Sequence, residues 1–130
     1  MTTLRYATME DADLLRRCRP ELEVTPEAHA DWMSRTMTRD KLFVAELGGV
    51  AIGTGRISDW PNAALPQSCE IHYALLPGWR HQGHGVALVR ALVARAKELG
   101  YVTVGAHIRR DNRPSLLCAI NGGVHSVELL

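Results

Sequence analysis

The sequence predicts a mixed α/β fold, in which helices pack on a sheet that contains both antiparallel and parallel strands. Short apolar and β-branched runs alternate along the chain with amphipathic stretches of helical period, in the order β-α-α-β-β-β-α-β-α-β. Glycines and prolines cluster between these elements, where turns need them. The 130 residues contain no repeat, linker or low-complexity tract, so we expect one domain over residues 1–130.

The predicted elements begin and end at recognisable cap and turn residues. In chain order we expect them over residues 3–7, 9–19, 25–38, 41–47, 50–58, 69–76, 86–99, 101–108, 112–121 and 124–130. Thr8 and Asp11 form a capping-box pattern that begins the first helix, and Pro20 ends it. Thr25 followed by Pro26 begins the second helix, because a threonine cap and a first-turn proline both favour that position.

The middle of the chain is predicted to be strands joined by turns. Gly48-Gly49 between two strand-like runs indicates a hairpin, because glycine adopts the positive φ angles of tight turns. Residues 59–68 carry two prolines and are predicted to be a loop. Pro77-Gly78 ends the strand that follows this loop.

The last third contains the clearest helix of the chain. Apolar side chains recur on one stripe between Val86 and Leu99, and Gly100 stands where the end of a helix favours positive φ. A strand follows, and then a short helix that ends at Gly122-Gly123. The last predicted strand continues to residue 130.

Composition and charge exclude several functional classes. The net charge of +1 and the isoelectric point near 7.8 provide no broad field for nucleic acid or an anionic membrane. No apolar run approaches the ~20 residues of a membrane helix, and the first residues have no signal-peptide pattern. Cys18, Cys69 and Cys118 form neither a disulfide framework nor a zinc-spaced pair. We therefore expect a cytoplasmic protein without nucleic-acid or membrane partners.

The segment Arg80-His81-Gln82-Gly83-His84-Gly85 joins a strand to the clearest helix. Its glycines let the backbone approach a ligand, and the first N–H groups of the helix have no intrahelical partner. With the helix dipole and the Arg80 charge, this end of the helix suits a phosphate or pyrophosphate. A P-loop would need Lys-Ser/Thr after the glycines, and a dinucleotide fingerprint would need a glycine at Leu88. His81 and His84 lack a third ligand, so we expect no metal site.

Four patterns in register resemble the GCN5-related N-acetyltransferase (GNAT) family over nearly the whole chain. Arg80, Gly83 and Gly85 match the Arg/Gln-x-x-Gly-x-Gly/Ala loop of that family. Residues 111–115 resemble its Asn-x-x-Ser/Ala helix start, residues 121–123 the turn that ends this helix, and residues 4–12 its first strand and helix.

This resemblance implies an N-acetyltransferase that moves an acetyl group from acetyl-CoA to a primary amine, on a small molecule or a peptide. The pyrophosphate would bind the amides of residues 81–86, and the pantetheine arm the strand at 70–76. A backbone N–H near Leu75 would then polarise the thioester carbonyl. The residues expected to contact acetyl-CoA are Tyr73, Ala74, Leu75, Arg80, His81, Gln82, Gly83, His84, Gly85, Val86, Asn112 and Ser115.

Two residues are candidates for the general base. Alternation along the strands places His107 and Glu70 on the same side, opposite the apolar faces. In the family's N-terminal acetyltransferases, a His or Glu base stands five residues before the Asn that Asn112 matches, and His107 is there. Its reference pKa of about 6.5 suits proton abstraction near neutral pH. Glu70 is the second candidate, because a glutamate on the fourth strand is the base in many relatives.

The sequence departs from the family at the general acid. The usual tyrosine stands seven residues after the matched Asn, and Ala119 is at that position. Either a water molecule protonates the leaving thiolate or no acid is needed. The departure also motivates a rival interpretation, a catalytically degenerate module that binds or senses acyl-CoA. A nucleotide-binding α/β protein of another kind is a third alternative.

The acceptor cannot be read from the sequence. Residues 18–35 and 59–68 are expected to meet it, and basic and acidic side chains mix there. Asp59, Trp60 and Glu70 are candidates for binding a cationic amine. The family usually has a seventh strand, and no residues follow residue 130 to form it. We therefore expect a sheet without that strand and a homodimer, or a rearranged C-terminus, that covers the open edge.

Overall fold

The computed structural model describes residues 1–60 and 67–130. Six strands and four helices follow the predicted order: β1 Thr2–Tyr6, α1 Ala12–Arg17, α2 Pro26–Met37, β2 Lys41–Leu47, β3 Val50–Asp59, β4 Ser68–Leu75, α3 His84–Glu98, β5 Thr103–Ile108, α4 Arg113–Asn121 and β6 Ser126–Leu129. The predicted mixed α/β fold is confirmed. Most of the predicted loop, residues 61–66, lies outside the described residues.

The six strands form one sheet in the spatial order β1-β2-β3-β4-β5-β6. The first four are antiparallel neighbours, whereas β4–β5 and β5–β6 are parallel pairs. β4 pairs with β5 only over Ser68–Glu70 and Thr103–Gly105, although both strands run further. Beyond Glu70 and Gly105 the two strands therefore separate, and the sheet opens between them.

Helices cover both faces of the sheet. The larger core contains the apolar face of α3, including Leu88 and Leu92, which packs on Phe43 and Ile71 of the strands. The smaller core lies on the other face, where Leu15 of α1 and Met33 of α2 pack with Leu42 and Val44. Successive residues of β2 thus point into different cores, as strand alternation requires. The opening between β4 and β5 consequently lies between two helical layers.

Several element ends differ from the prediction, because local hydrogen bonds compete with helix and strand. The first helix is shortened by 3-10 turns at Met9–Asp11 and Pro20–Leu22. β5 begins at Thr103 rather than residue 101, and the Tyr101 hydroxyl donates to Asp59. β6 begins at Ser126, since the Val124 N–H donates to the Ala119 carbonyl and closes α4.

β6 is an edge of the described sheet, and the tail beside it is open to solvent. Leu129 and Leu130 are 44% and 68% exposed. A partner chain at this edge stays a prediction. Over the described residues, no helix has the length and apolar character needed to cross a membrane.

Candidate active site

The N-terminus of α3 presents a row of backbone donors. Gly83 caps this 15-residue helix at a φ of +86°, and His81 also has a positive φ, +62°. The N–H groups of His84, Gly85 and Val86 precede the first intrahelical hydrogen bond, and no side chain caps them in the described structure. With the positive end of the helix dipole, these donors suit an anionic group such as a pyrophosphate.

Gly85 allows α3 and α4 to approach each other closely beside these donors. A Cβ atom at position 85 would lie 2.6 Å from Cys118 Sγ, closer than real contacts allow. The open backbone at this position therefore depends on glycine while Cys118 occupies the facing turn of α4.

Arg80 connects this loop to other elements. Its Nε donates to the Leu75 carbonyl at 3.1 Å and its guanidinium to the Cys18 carbonyl at 2.8 Å, with Glu21 at 3.7 Å. Arg80 therefore joins the loop to the end of β4 and to the residue after α1. Direct contact between this side chain and a phosphate stays a prediction.

The remaining side chains of the loop are held locally or exposed. Gln82 Nε2 donates to the Gly78 carbonyl at 2.9 Å, and the His84 ring contacts Trp79 edge-on at a centroid distance of 5.3 Å. His81 is exposed. The structure describes no group of three His, Cys, Asp or Glu side chains that could hold a metal ion.

Two backbone N–H groups of β4 point into the opening between β4 and β5. The Leu76 N–H donates to Ile52 of β3, so in this antiparallel pair Leu76 and Ala74 bond to β3. Tyr73 and Leu75 alternate with them and point the other way. Their carbonyls accept from Arg19 at 3.3 Å and Arg80 at 3.1 Å, and the same alternation turns their N–H groups away from β3.

The side chain of Tyr73 joins β4 to α4. Its hydroxyl donates to the Ser115 carbonyl at 2.8 Å and lies 2.9 Å from Ser115 Oγ. Burial raises the pKa of this phenol. Asn112, predicted to contact the co-substrate, caps α4 by accepting from the Ser115 N–H at 3.3 Å. Asn112 and Ser115 thus lie near the opening of the sheet, where their contacts cap α4 and join it to β4.

His107 and Glu70 form one unit. His107 Nδ1 lies 2.7 Å from Glu70 Oε1, and His107 Nε2 lies 2.8 Å from Glu128 Oε2 on β6. The hydrogen bond to Glu70, with the second one to Glu128, raises the pKa of His107 although partial burial opposes it. Glu70 and Gly105 are the last paired residues of β4 and β5, so this unit stands where the opening begins.

An aromatic ring covers the His107 imidazole. Trp60 stacks on it at a centroid distance of 4.9 Å and an interplanar angle of 18°. The indole also packs on Gly105, where a Cβ would lie 2.2 Å from its Cζ3. Trp60, expected to meet the acceptor, contacts the candidate base, and its contact with the acceptor stays a prediction. Asp59, expected to attract a cation, accepts the Tyr101 hydroxyl.

A cavity of about 400 Å³ lies against the same face of the sheet. Its lining residues, drawn from α1, α2 and the central strands, are Leu15, Arg16, Arg19, Leu22, Val24, His29, Trp32, Leu42, Thr54, Gly55, Arg56, His72 and Tyr73. His72 connects it to the candidate base, since His72 Nε2 lies 3.6 Å from Glu70 Oε1. Burial and the nearby Arg56 charge lower the pKa of His72 to about 4, so its imidazole is neutral at pH 7.

Sequence reasoning missed three features of this site: Glu128, the position of Trp60, and the cavity with His72. Glu128 belongs to a four-residue edge strand whose pairing with β5 is non-local. A residue-by-residue alternation of β6 against β5 would have placed Glu128 and His107 on one side, because they are register partners. No local pattern indicated which arginines line the cavity.

The sequence profile described as the acetyltransferase (GNAT) family matches residues 9–119. No curated protein matches the chain in sequence. Solved structures similar to this one include the aminoglycoside acetyltransferase AAC(6')-Ib in complex with coenzyme A, with 22% identity, a TM-score of 0.85, and coverage of 95% of this chain and 83% of that chain.

Two further similar structures are an N-acetyltransferase from Staphylococcus aureus Mu50 and a ribosomal-protein-alanine N-acetyltransferase from Brucella melitensis. The first has 21% identity and a TM-score of 0.74, over 92% of this chain and 81% of that chain. The second has 22% identity and a TM-score of 0.74, over 92% and 82%. At these identities the likeness concerns the fold.

Proposed function

The chain belongs to the GNAT family of acetyltransferases, whose co-substrate is acetyl-CoA, and on this premise we propose that it acetylates a primary amine by direct transfer, with the Glu70–His107 unit as proton acceptor. The observation that carries the proposal is the position of this unit. It lies at the last paired residues of β4 and β5, where the sheet opens. The amine and the thioester would meet there.

The residues present fit acetyl-CoA. When bound, it supplies an acetyl group activated as a thioester. The N–H groups of His84, Gly85 and Val86 would hold its pyrophosphate, because they are donors without an intrahelical partner at the positive end of a helix. The N–H groups of Tyr73 and Leu75 point into the opening of the sheet and would hold the pantetheine arm. That of Leu75 is the candidate for polarising the thioester carbonyl.

Glu70 and His107 are proposed to act together rather than as alternatives. An amine must lose its proton to attack a carbonyl, and the proton needs an acceptor within hydrogen-bond reach or one water away. His107 lies between the carboxylates of Glu70 and Glu128, which stabilise its protonated form and raise its pKa. The neutral imidazole would take up the proton at Nε2, from the amine or from a water that displaces the Glu128 carboxylate, and Glu70 would hold the ring in orientation through the Nδ1–H group.

The departing sulfur receives no proton from the usual position of the family's acid. Ala119 is completely buried in the larger core and has no titratable group. A thiol has a pKa of about 8.5, so its thiolate is a tolerable leaving group near neutral pH without an acid. Water entering the opening is the proposed source of the final proton.

Ala119 also supports a second candidate function, an acyl-CoA-binding or acyl-CoA-sensing module without turnover. The two candidates share the α3 donors and differ only in chemistry. Purified protein, acetyl-CoA and a panel of primary amines separate them, with thiol release followed by a colorimetric reagent and the acetylated amine identified by mass spectrometry. We expect amine-dependent release that falls by about tenfold or more in His107→Gln. Binding of CoA without release on any amine would instead support the sensing module.

A further inference from the structure

The charged side chains that line the cavity are all of one sign. Three of its lining residues, Arg16, Arg19 and Arg56, carry guanidinium groups, and no aspartate or glutamate is among the described residues that line it. The two histidines of the lining do not change this sign, because an imidazole is either neutral or positively charged. His72 is neutral at pH 7, and burial lowers the pKa of His29 as well. The charged groups that a ligand meets in the lining of this cavity are therefore cations.

Two of the three arginines have carboxylate partners that do not line the cavity. Arg56 lies 2.8 Å from Asp40, whose side chain is only 4% exposed. Arg16 lies 2.8 Å from Asp13, which also binds Arg17 at 3.1 Å. These partners position the two guanidinium groups, and Asp13 is shared between two cations.

Arg19 has no carboxylate partner within 4 Å in the described part of the chain. Its one recorded hydrogen bond there is to the Tyr73 carbonyl at 3.3 Å. The nearby Glu21 lies 3.7 Å from Arg80. Part of the Arg19 side chain is open to solvent, while its surroundings desolvate the charged group enough to lower its pKa. The charge of Glu21 opposes this lowering of the pKa, but no carboxylate of the described residues lies within ion-pair distance of Arg19, so its guanidinium group is available to an anionic group of a ligand.

Much of the remaining lining is apolar, and one of its residues, His72, lies next to the proton acceptor. Leu15 and Leu42 contribute buried side chains to its wall, and Trp32, 37% exposed, also lines it. On the inner side, His72 lies 3.6 Å from Glu70. A molecule in this cavity could thus place an amine toward Glu70 and His107 and an anionic group on Arg19.

We propose that the cavity binds the acceptor, and that the acceptor is a primary amine that also carries a carboxylate and an apolar body, in the manner of an amino acid, with Arg19 as the principal contact of the carboxylate. This inference rests on the proposed function. The proposed site does not suit polycationic amines, because its guanidinium groups would repel them. Guanidinium groups bind carboxylates with planar, charge-assisted hydrogen bonds, so an amide in place of the carboxylate loses most of the attraction.

Steady-state kinetics with matched acceptors test the proposal. Leucine and leucinamide share an amine and an apolar side chain and differ in the carboxylate, and spermidine represents polycations. At saturating acetyl-CoA, kcat/KM for leucine should exceed that for leucinamide by about tenfold to a hundredfold. Arg19→Gln should reduce this ratio to near one, and Arg19→Lys should keep part of it. Arg17→Gln is the matched control, since Arg17 is the last residue of α1, two positions before Arg19, and does not line the cavity, and its ratio should stay that of the wild type.

Equal or better use of leucinamide or spermidine would overturn the inference and leave the proposed function standing. If no amine is acetylated, calorimetry still tests whether the cavity binds a carboxylate. It compares the product-like N-acetylleucine and N-acetylleucinamide in the presence of CoA. About tenfold tighter binding of the acid, lost in Arg19→Gln, supports the anionic site even though the proposed transfer has failed. Equal binding of the two compounds overturns it.

Discussion

Glu70 and His107 are 37 positions apart in the sequence, and their side chains are joined by a hydrogen bond of 2.7 Å across the last paired residues of β4 and β5. The bond unites two residues that the sequence offers as competing bases. It also places the proton acceptor where the sheet opens, between the α3 donors and the arginine-lined cavity.

The pH dependence of acetyl transfer should report the His107 pKa. A base works only when unprotonated, so kcat/KM should rise with pH through a pKa above the usual 6.5 of histidine. The hydrogen bond to Glu70 is the largest cause of the raised pKa, and Glu128 contributes less. Glu70→Gln should therefore move the acidic limb of the profile to lower pH, and Glu128→Gln should move it less far in the same direction. An NMR titration of the His107 ring in each variant gives the matching pKa, and a limb that stays in place or rises in Glu70→Gln would contradict the assignment.

Gly105→Ala should displace Trp60 from His107. The new Cβ would lie 2.2 Å from the indole, which has to leave its place over the imidazole. We expect kcat to fall by about tenfold or more, because small displacements of reacting groups are costly, and Trp60 fluorescence to shift. Gly78→Ala is the control, since nothing lies within 4 Å of its added methyl. Wild-type kcat in Gly105→Ala would show that the stacking has no role in turnover.

Gly85 and Cys118 should be coupled in CoA binding. Gly85→Ala would put a methyl 2.6 Å from Cys118 Sγ and push α3 and α4 apart, weakening CoA affinity by about tenfold. Cys118→Ala removes the sulfur, and the nearest remaining atom of residue 118 is Cβ at 3.7 Å. The double variant should regain most of the affinity in calorimetric titrations. Equal losses of CoA affinity in Gly85→Ala and in the double variant would mean that the contact with Cys118 does not control CoA binding at this loop.

The Arg5–Asp11 contact should stabilise the protein above acidic pH. Two hydrogen bonds from Arg5, at 2.8 and 2.9 Å, lower the pKa of Asp11, which also accepts the Thr8 N–H at 2.8 Å. Because the pKa is lowered on folding, this stability is present above the unfolded pKa near 3.8 and is lost as pH falls through the folded pKa.

The measurement is urea unfolding of Asp11→Asn and wild type at several pH values. The variant should lose about 1 kcal/mol at pH 7, and the difference should shrink as the pH falls below 4. Asp13→Asn serves as the control, because the Asp13 side chain is 67% exposed and exposed pairs contribute little. A difference that grows toward acid pH would contradict the role given to Asp11.

The parts of this structure that could be predicted are those with local causes. The stripe of α3, the cap at Thr25 and the Gly48-Gly49 hairpin depend on neighbouring residues, and strand alternation placed Glu70 and His107 on one side. The rest depends on contacts between distant elements. The Arg80 side chain is held by two backbone carbonyls, one of them at Cys18, just after α1 and 62 positions away.

The charge of the cavity shows the same limit. Between positions 16 and 31 three arginines are followed by four carboxylate residues, and the sequence favours no substrate charge. The fold turns Arg16 and Arg19 inward beside Arg56 of β3, while Glu23, Glu27 and Asp31 stay on exposed positions away from the lining. Which charges face a ligand is settled by helix orientation on the sheet, a tertiary property.

A double-variant cycle of kcat with Glu70→Gln and His107→Gln tests the central claim most directly. Residues that act as one unit show strongly non-additive effects. Each single variant should lower kcat by about tenfold or more. The kcat of the double variant should be at most about twofold below that of the slower single variant. Losses that multiply in the double variant, or single losses below tenfold, would contradict a joint proton acceptor at the opening of the sheet.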